Sequence, residues 1–135
     1  MAKRAKSVKK TDDGRKLAVE AARMAADTNC ANVTVLDLRG ISPITDYFVI
    51  ATGTSGRQMR SVADDLMGYG KSIEQPAWRV AGLDSPDWIV IDFVNVVVHL
   101  FDEEHRRYYD LELIWGDAPH VRWRKRKTAA VSESQ

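Results

Sequence analysis

The residues of this chain that could do chemistry are a glycine-bearing turn, scattered carboxylates, three histidines and one cysteine. The turn Thr52-Gly53-Thr54-Ser55-Gly56 follows an apolar run, and backbone amides at a helix start attract anions. A phosphate loop also needs a second glycine at longer spacing followed by lysine; here Gly53 and Gly56 stand three apart with no such lysine after them. A dinucleotide fingerprint needs a third glycine at the right spacing. The turn therefore reads as a capped helix start, with anion binding as the alternative.

Metal-dependent nucleotidyl transfer needs carboxylates that share an ion, typically two acids one residue apart on a strand. Asp37 and Asp92 each stand alone in their apolar runs. Asp64 and Asp65, adjacent on a helix, would diverge by about 100°. His99, His105 and His120 lack the close, repeated spacing of metal ligands. Cys30 is the only cysteine, so it forms neither an intrachain disulfide nor a cysteine metal cluster. It reads as a buried thiol near a helix end. No nucleophile is implied beside His99, which reads as a hydrogen-bonded strand residue. No catalytic residue, cofactor or metal ion is expected.

The segment from Asp87 to Asp117 is different. It carries eight acids against Arg106 and Arg107, a net of −6, and interleaves them with Trp88, Phe93, Phe101, Tyr108, Tyr109 and Trp115. Aromatic residues are over-represented at interface hot spots, and an acidic rim around an exposed aromatic suits a basic protein partner. Trp88, at the mouth of a strand, is the anchor candidate. Tyr108, Leu111 and Trp115, at helical spacing, read as core.

Positioning these residues requires an α/β plan. Leu17, Ala21, Met24 and Ala25 share one face of a first helix running from Asp12 or Asp13 to about Asn29. Val33 to Leu38 suits a half-buried strand, and Tyr47 to Thr52 a strand buried on both faces near the middle of a sheet. Met59, Val62, Ala63, Leu66 and Met67 mark a second helix stopped by Gly68 and Gly70. Trp78 to Ala81 is a short strand or edge. Trp88 to Phe93 and Val96 to Phe101 form a hairpin around Val94-Asn95. Asp102 caps a last helix carrying Tyr108, Leu111 and Trp115, ended by Gly116 and Pro119. Together these predict a mixed sheet flanked by helices in one domain.

With 135 residues and 44% apolar content, the chain suits one domain with a real core. Residues 12–119 are expected to form it, between basic flexible tails at 1–11 and 120–135. The formal charge of +1 hides an asymmetry: five cations and no acid in residues 1–10, five cations and one acid in 122–135, and 10 basic against 18 acidic side chains between them, a net of −8. The body should attract a basic protein, while the tails could touch phosphate. Apolar runs fall far short of the roughly 20 residues that span a bilayer, and the basic N-terminus lacks the apolar stretch of a secretory signal. A cytoplasmic location is expected.

Four blocks in order carry a family resemblance: Ile44-Thr45-Asp46-Tyr47-Phe48-Val49-Ile50-Ala51-Thr52-Gly53-Thr54-Ser55-Gly56-Arg57-Gln58; Asp87-Trp88-Ile89-Val90-Ile91-Asp92; Val96-Val97-Val98-His99-Leu100-Phe101; and Arg106-Arg107-Tyr108-Tyr109-Asp110-Leu111-Glu112-Leu113-Ile114-Trp115 with Asp117-Ala118. Over residues 13 to 118 the chain resembles the ribosomal silencing factor family, also called Iojap-like. The resemblance implies a nucleotidyltransferase-like fold without the paired metal-binding acids. It also implies docking on the large ribosomal subunit through ribosomal protein number fourteen of that subunit, which blocks joining of the small subunit and represses translation in starvation or stationary phase. By position it implies a binding site of Trp88, Asp92 and Phe93, followed by His99, Phe101 and Glu103. Contact of the basic tails with rRNA is a further expectation, and an exposed apolar interface would favour a homodimer of the free chain. Two positions depart from the family pattern: Ala81-Gly82 stands for Glu-Gly, and Val94-Asn95 for Gly-Asp. Valine does not favour the positive φ that glycine allows, so the hairpin turn is expected to differ. The alternative readings are a nucleotide-binding or nucleotidyl-transferring enzyme using the Gly53–Gly56 turn, and an RNA chaperone acting through the tails.

Overall fold

The computed structural model describes residues 11–85 and 87–124. The expected tails over 1–10 and 125–135 lie outside the described residues. Helix α1 (Thr11–Asp27) leads into β1 (Ala31–Asp37) and β2 (Tyr47–Thr52), then α2 (Gly56–Ser72), β3 (Arg79–Ala81), β4 (Trp88–Asp92), β5 (Val96–Phe101), α3 (Glu103–Tyr109) and α4 (Leu111–Ile114). The five strands make one sheet in the order β1-β2-β5-β4-β3. The β2–β5 pair is parallel and the other pairs are antiparallel, so the sheet is mixed, as expected.

Strand parity divides the apolar residues between two cores. On one face Val35, Tyr47, Val49, Ala51, Ile89, Ile91, Val96, Val98 and Leu100 meet α1 and α2. Helix α1 contributes Leu17, Ala18, Ala21, Ala22 and Ala25, all buried; alanines let the helix approach the sheet closely. On the other face Leu36, Leu38, Ile50, Phe101 and Ala118 form a smaller cluster, with Phe48, Trp88, Leu111 and Trp115 packed against it.

Three local expectations are corrected. Helix α2 runs through Gly68 and Gly70 to Ser72, because the Phe93 ring packs directly onto Gly70 and the tertiary contact outweighs glycine's low helix propensity. The single helix after Asp102 is two: Asp110 adopts φ 46°, its amide closing α3 on the Arg106 carbonyl before α4 starts anew. Asp tolerates this left-handed conformation better than most residues. Finally, residues 120–124, expected to begin a tail, pack on the domain. His120 bridges Leu36, and the Val121 amide donates to the Val35 carbonyl. Val121 is buried, and the Trp123 indole donates to the Val33 carbonyl at 3.0 Å. This stretch covers the outer edge of β1, whose amides and carbonyls would otherwise be unpaired.

The hairpin turn keeps a positive φ despite its valine, with Val94 at φ 79°. The Asn95 amide donates to the Phe93 carbonyl, and the Val94 amide donates to Asp92 Oδ1 at 2.7 Å. These bonds hold a tight turn in a conformation strained for a β-branched residue.

Candidate protein-docking face

The second sheet face carries a row of rings. Trp88 on β4 lies directly across from Phe101 on β5, the rings stacked at 4.9 Å. Tyr109, from the end of α3, packs on Trp88 at 4.5 Å. His99, two positions before Phe101, accepts a hydrogen bond at Nδ1 from the Trp88 indole N–H at 3.0 Å. Phe48 of β2 meets the His99 ring edge-on at 4.4 Å, and Trp115 meets Phe48 in the same manner at 6.0 Å. The sequence Trp115, Phe48, His99, Trp88, Tyr109 thus crosses three strands as one aromatic row. Such edge and stacked contacts each add about 0.5–1.5 kcal/mol beyond area burial.

His99 is 6% exposed, and burial pushes its pKa down to about 3. Its ring is therefore neutral, and because Nδ1 accepts, the proton sits on Nε2. That N–H has no partner among the described residues.

Acids border one end of the row. Asp102 caps α3, accepting at Oδ1 from the His105 amide and ring, each at 2.8 Å. Although burial opposes it, these hydrogen bonds hold the Asp102 carboxyl below its ordinary range. The hydrogen bond to Asp102, with the nearby charges of Asp102, Asp87 and Glu104, raises the pKa of His105. Asp87, Glu103 and Glu104 are exposed beside them.

Of the six residues expected at the site, Trp88, His99 and Phe101 come together, but only Trp88 of these has substantial accessible surface. Phe101 is fully buried under Trp88 and Tyr109, and acts as their floor. Asp92 shares the Trp88 face by parity and holds the hairpin turn. Glu103 is exposed at the first position of α3, paired with Arg107 at 3.3 Å. Phe93 is turned away: it continues the parity of Ile89 and Ile91 into the helix-side core. The family resemblance grouped it with Trp88; here it is 7% exposed and packs in that core.

Sequence reasoning missed Phe48 and Tyr109. Strand parity could have found Phe48, which shares the face of Ile50, the register partner of His99; the break at Asp110, just after Tyr109, has no periodic signal. Tyr108, expected in the core, is 77% exposed, while Leu111 and Trp115 are half-buried on the second cluster.

Arg106 holds this side of the molecule together. Its guanidinium donates to the Asn32 carbonyl at 2.6 Å and to Thr52 Oγ1 at 2.9 Å, and pairs with both carboxylate oxygens of Glu112 at 2.6 and 3.2 Å. One side chain thus ties α3 and α4 to β1 and β2. A planar fork of donors suits this task and a lysine does not.

The Gly53–Gly56 turn is explained by packing. A Cβ on Gly53 would lie 2.2 Å from Met59 Cγ. Ser55 caps α2 by accepting from the Gln58 amide, and Gln58 Oε1 accepts from the Thr54 amide. This is close to a reciprocal capping box.

What these elements define is a small α/β domain with one aromatic, acid-bordered sheet face only partly roofed by two short helices. The chain belongs to the ribosomal silencing factor family: the family model described as "Ribosomal silencing factor during starvation" matches residues 11–135. It is similar to the ribosomal silencing factor RsfS of Bacillus subtilis, with 35% identity over 99 residues covering 73% of this chain and 84% of that protein. It is also similar to the mouse protein named mitochondrial assembly of ribosomal large subunit protein 1, at 33% identity over 64% of this chain and 40% of that one. A Bacillus halodurans crystal structure shares the fold with a TM-score of 0.68 and 32% identity, over 82% of this chain and 98% of that chain.

Proposed function

We infer that this protein silences translation by docking its aromatic sheet face on a small basic protein of the large ribosomal subunit, ribosomal protein number fourteen, and thereby blocks joining of the small subunit. The observation that carries the reading is Trp88: it stands half-exposed, clamped by His99, Phe101 and Tyr109, beside the acids Asp87, Asp102, Glu103 and Glu104. A rigid, pre-oriented aromatic loses little entropy on binding, and the acidic border favours a cationic partner. Membership of a silencing-factor family and the large-subunit name of the mouse relative support the same partner. The activity is binding and occlusion, not catalysis, carried out in the cytoplasm where the ribosomes are. Trp88, Asp92 and Glu103 make the contact; His99 and Phe101 position Trp88; Phe93 only packs the core.

Co-sedimentation with isolated large subunits tests this. Trp88→Ala is expected to weaken binding by about 2 kcal/mol, roughly thirtyfold, with an unchanged α-helical spectrum. Undiminished binding by that variant would remove the aromatic face from the reading. The enzyme alternative is checked by thermal shift with nucleotide and magnesium, where a ligand selective for the native state raises Tm; a clear rise would favour it.

A further inference from the structure

Two large aliphatic side chains stand in solvent where the fold gives them nothing to pack against. Leu113 and Ile114, on α4, are 74% and 65% exposed. Residues four apart on a helix share a face, so Leu111 and Trp115 turn together onto the second cluster. Leu113 and Ile114 are left on the outer side. Their direction is fixed all the same, because Glu112 beside them is held by two hydrogen bonds from Arg106.

The pair lies along a path that begins at the aromatic face. From the half-exposed Trp88 the rings run outward through Tyr109, at 4.5 Å, to the exposed Tyr108, a further 4.9 Å on. The chain then turns at Asp110 straight into α4. Apolar surface is therefore presented on β4, on α3 and again on α4.

Charge decides what can cover it. Residues 110–117 hold Asp110, Glu112 and Asp117 and no base. Arg106 neutralises Glu112, whereas Asp110 and Asp117 are exposed and form no ion pair among the described residues. A second copy of the chain, related by a twofold axis, would set this patch against itself and bring like charges together. RNA phosphate and anionic lipid are repelled by the same acids. A protein surface with an apolar patch and cations beside it meets both features at once.

We propose that Leu113 and Ile114 form the outer half of the docking site, covered by an apolar patch of the same basic partner, whose cations lie against Asp110 and Asp117. The inference rests on the docking reading above for its partner and extends that site from the sheet face over its roof. A single ring such as Trp88 leaves a docked protein free to turn about it. A second apolar anchor on another element fixes its orientation, which occlusion of the small subunit requires.

The test uses the full chain, co-sedimented with isolated large subunits over a salt series, and sedimentation equilibrium of the free chain. Leu113→Gln/Ile114→Gln keeps good helix formers at both positions and is expected to bind about tenfold more weakly, with Tm unchanged. Asp110→Asn/Asp117→Asn, in which asparagine tolerates the left-handed conformation at 110, is expected to bind more weakly at low salt and to show a flatter salt dependence. Undiminished binding by the Gln pair, where Trp88→Ala binds poorly, would overturn this proposal and leave the Trp88 reading standing. A wild-type dimer that the Gln pair abolishes would assign the patch to a second copy and overturn it equally. Absence of binding by wild type would remove the docking reading and this extension together.

Discussion

Trp88 and His99 satisfy each other's polarity at one nitrogen and leave His99 Nε2–H without a partner among the described residues. The charged imidazolium has no place in this environment, which makes His99 a source of acid sensitivity. Its folded pKa is about 3, whereas an unfolded histidine titrates near 6.5. Below pH 6.5 the unfolded chain takes up a proton that the folded one refuses, so stability falls with pH until about 3. The loss from this group is about 1.4 kcal/mol per pH unit, or about 2 kcal/mol at pH 5. His105 works in the opposite sense: its raised pKa lends stability at low pH that is lost as pH rises through the folded value. Urea unfolding between pH 4 and 7 on wild type and His99→Phe checks the first effect. The variant is expected to show a lower plateau at neutral pH, since Trp88 loses its acceptor, and a visibly shallower acid slope. An unchanged slope would mean that another group carries it. At this scale the sequence showed the ring types and Trp88's place at a strand start; the outward turn of Tyr108 and the inward turn of Phe93 were not legible, because helix continuity and strand parity, not residue type, decide which way a side chain faces.

Among the elements, the hairpin between β4 and β5 holds the clearest strain. Val94 sits at φ 79°, a conformation costing a β-branched residue about 1–3 kcal/mol. Val94→Gly, which removes the side chain that disfavours this φ, is expected to stabilise the fold by about 1 kcal/mol after glycine's own entropic cost, raising Tm by a few degrees. Differential scanning calorimetry reads this directly, and a fall in Tm would show that the valine side chain's packing outweighs its backbone. Gly82 makes the converse case, since at φ 92° a Cβ there would lie 2.1 Å from the Trp88 carbonyl oxygen. The strands and both long helices were legible as apolar runs and periodicities. The α3–α4 break was not, because a single aspartate in a left-handed conformation leaves the helical pattern on either side intact.

For the molecule as a whole, the edge strand β1 depends on residues that look like a tail. The Asp37 amide donates to the Pro119 carbonyl and the Val121 amide to that of Val35, and Trp123 packs on the main core. Truncation after Ala118 is expected to lower Tm and to promote concentration-dependent self-association through the bared edge, measurable by light scattering. A truncated chain that stays as stable as the full one would show that the edge needs no cover. Composition announced an acidic body with basic ends. The packing of 120–124 stayed hidden because Val121 and Trp123, two apolar residues set among arginines, are too short a pattern to register as structure.

The strand order has a consequence for how the protein is made. Strand β5 joins β2 on one side and β4 on the other, yet it is the last strand in the chain. Until it emerges from synthesis, β1–β2 and β3–β4 are two separate ribbons sharing no edge, and the parallel pairing that unites them must close a loop from Thr52 to Val96. Such non-local closure is slow compared with hairpin formation. The aromatic row takes rings from β2, β4 and β5 together, so it can form only after β5 has been made and has joined the two ribbons.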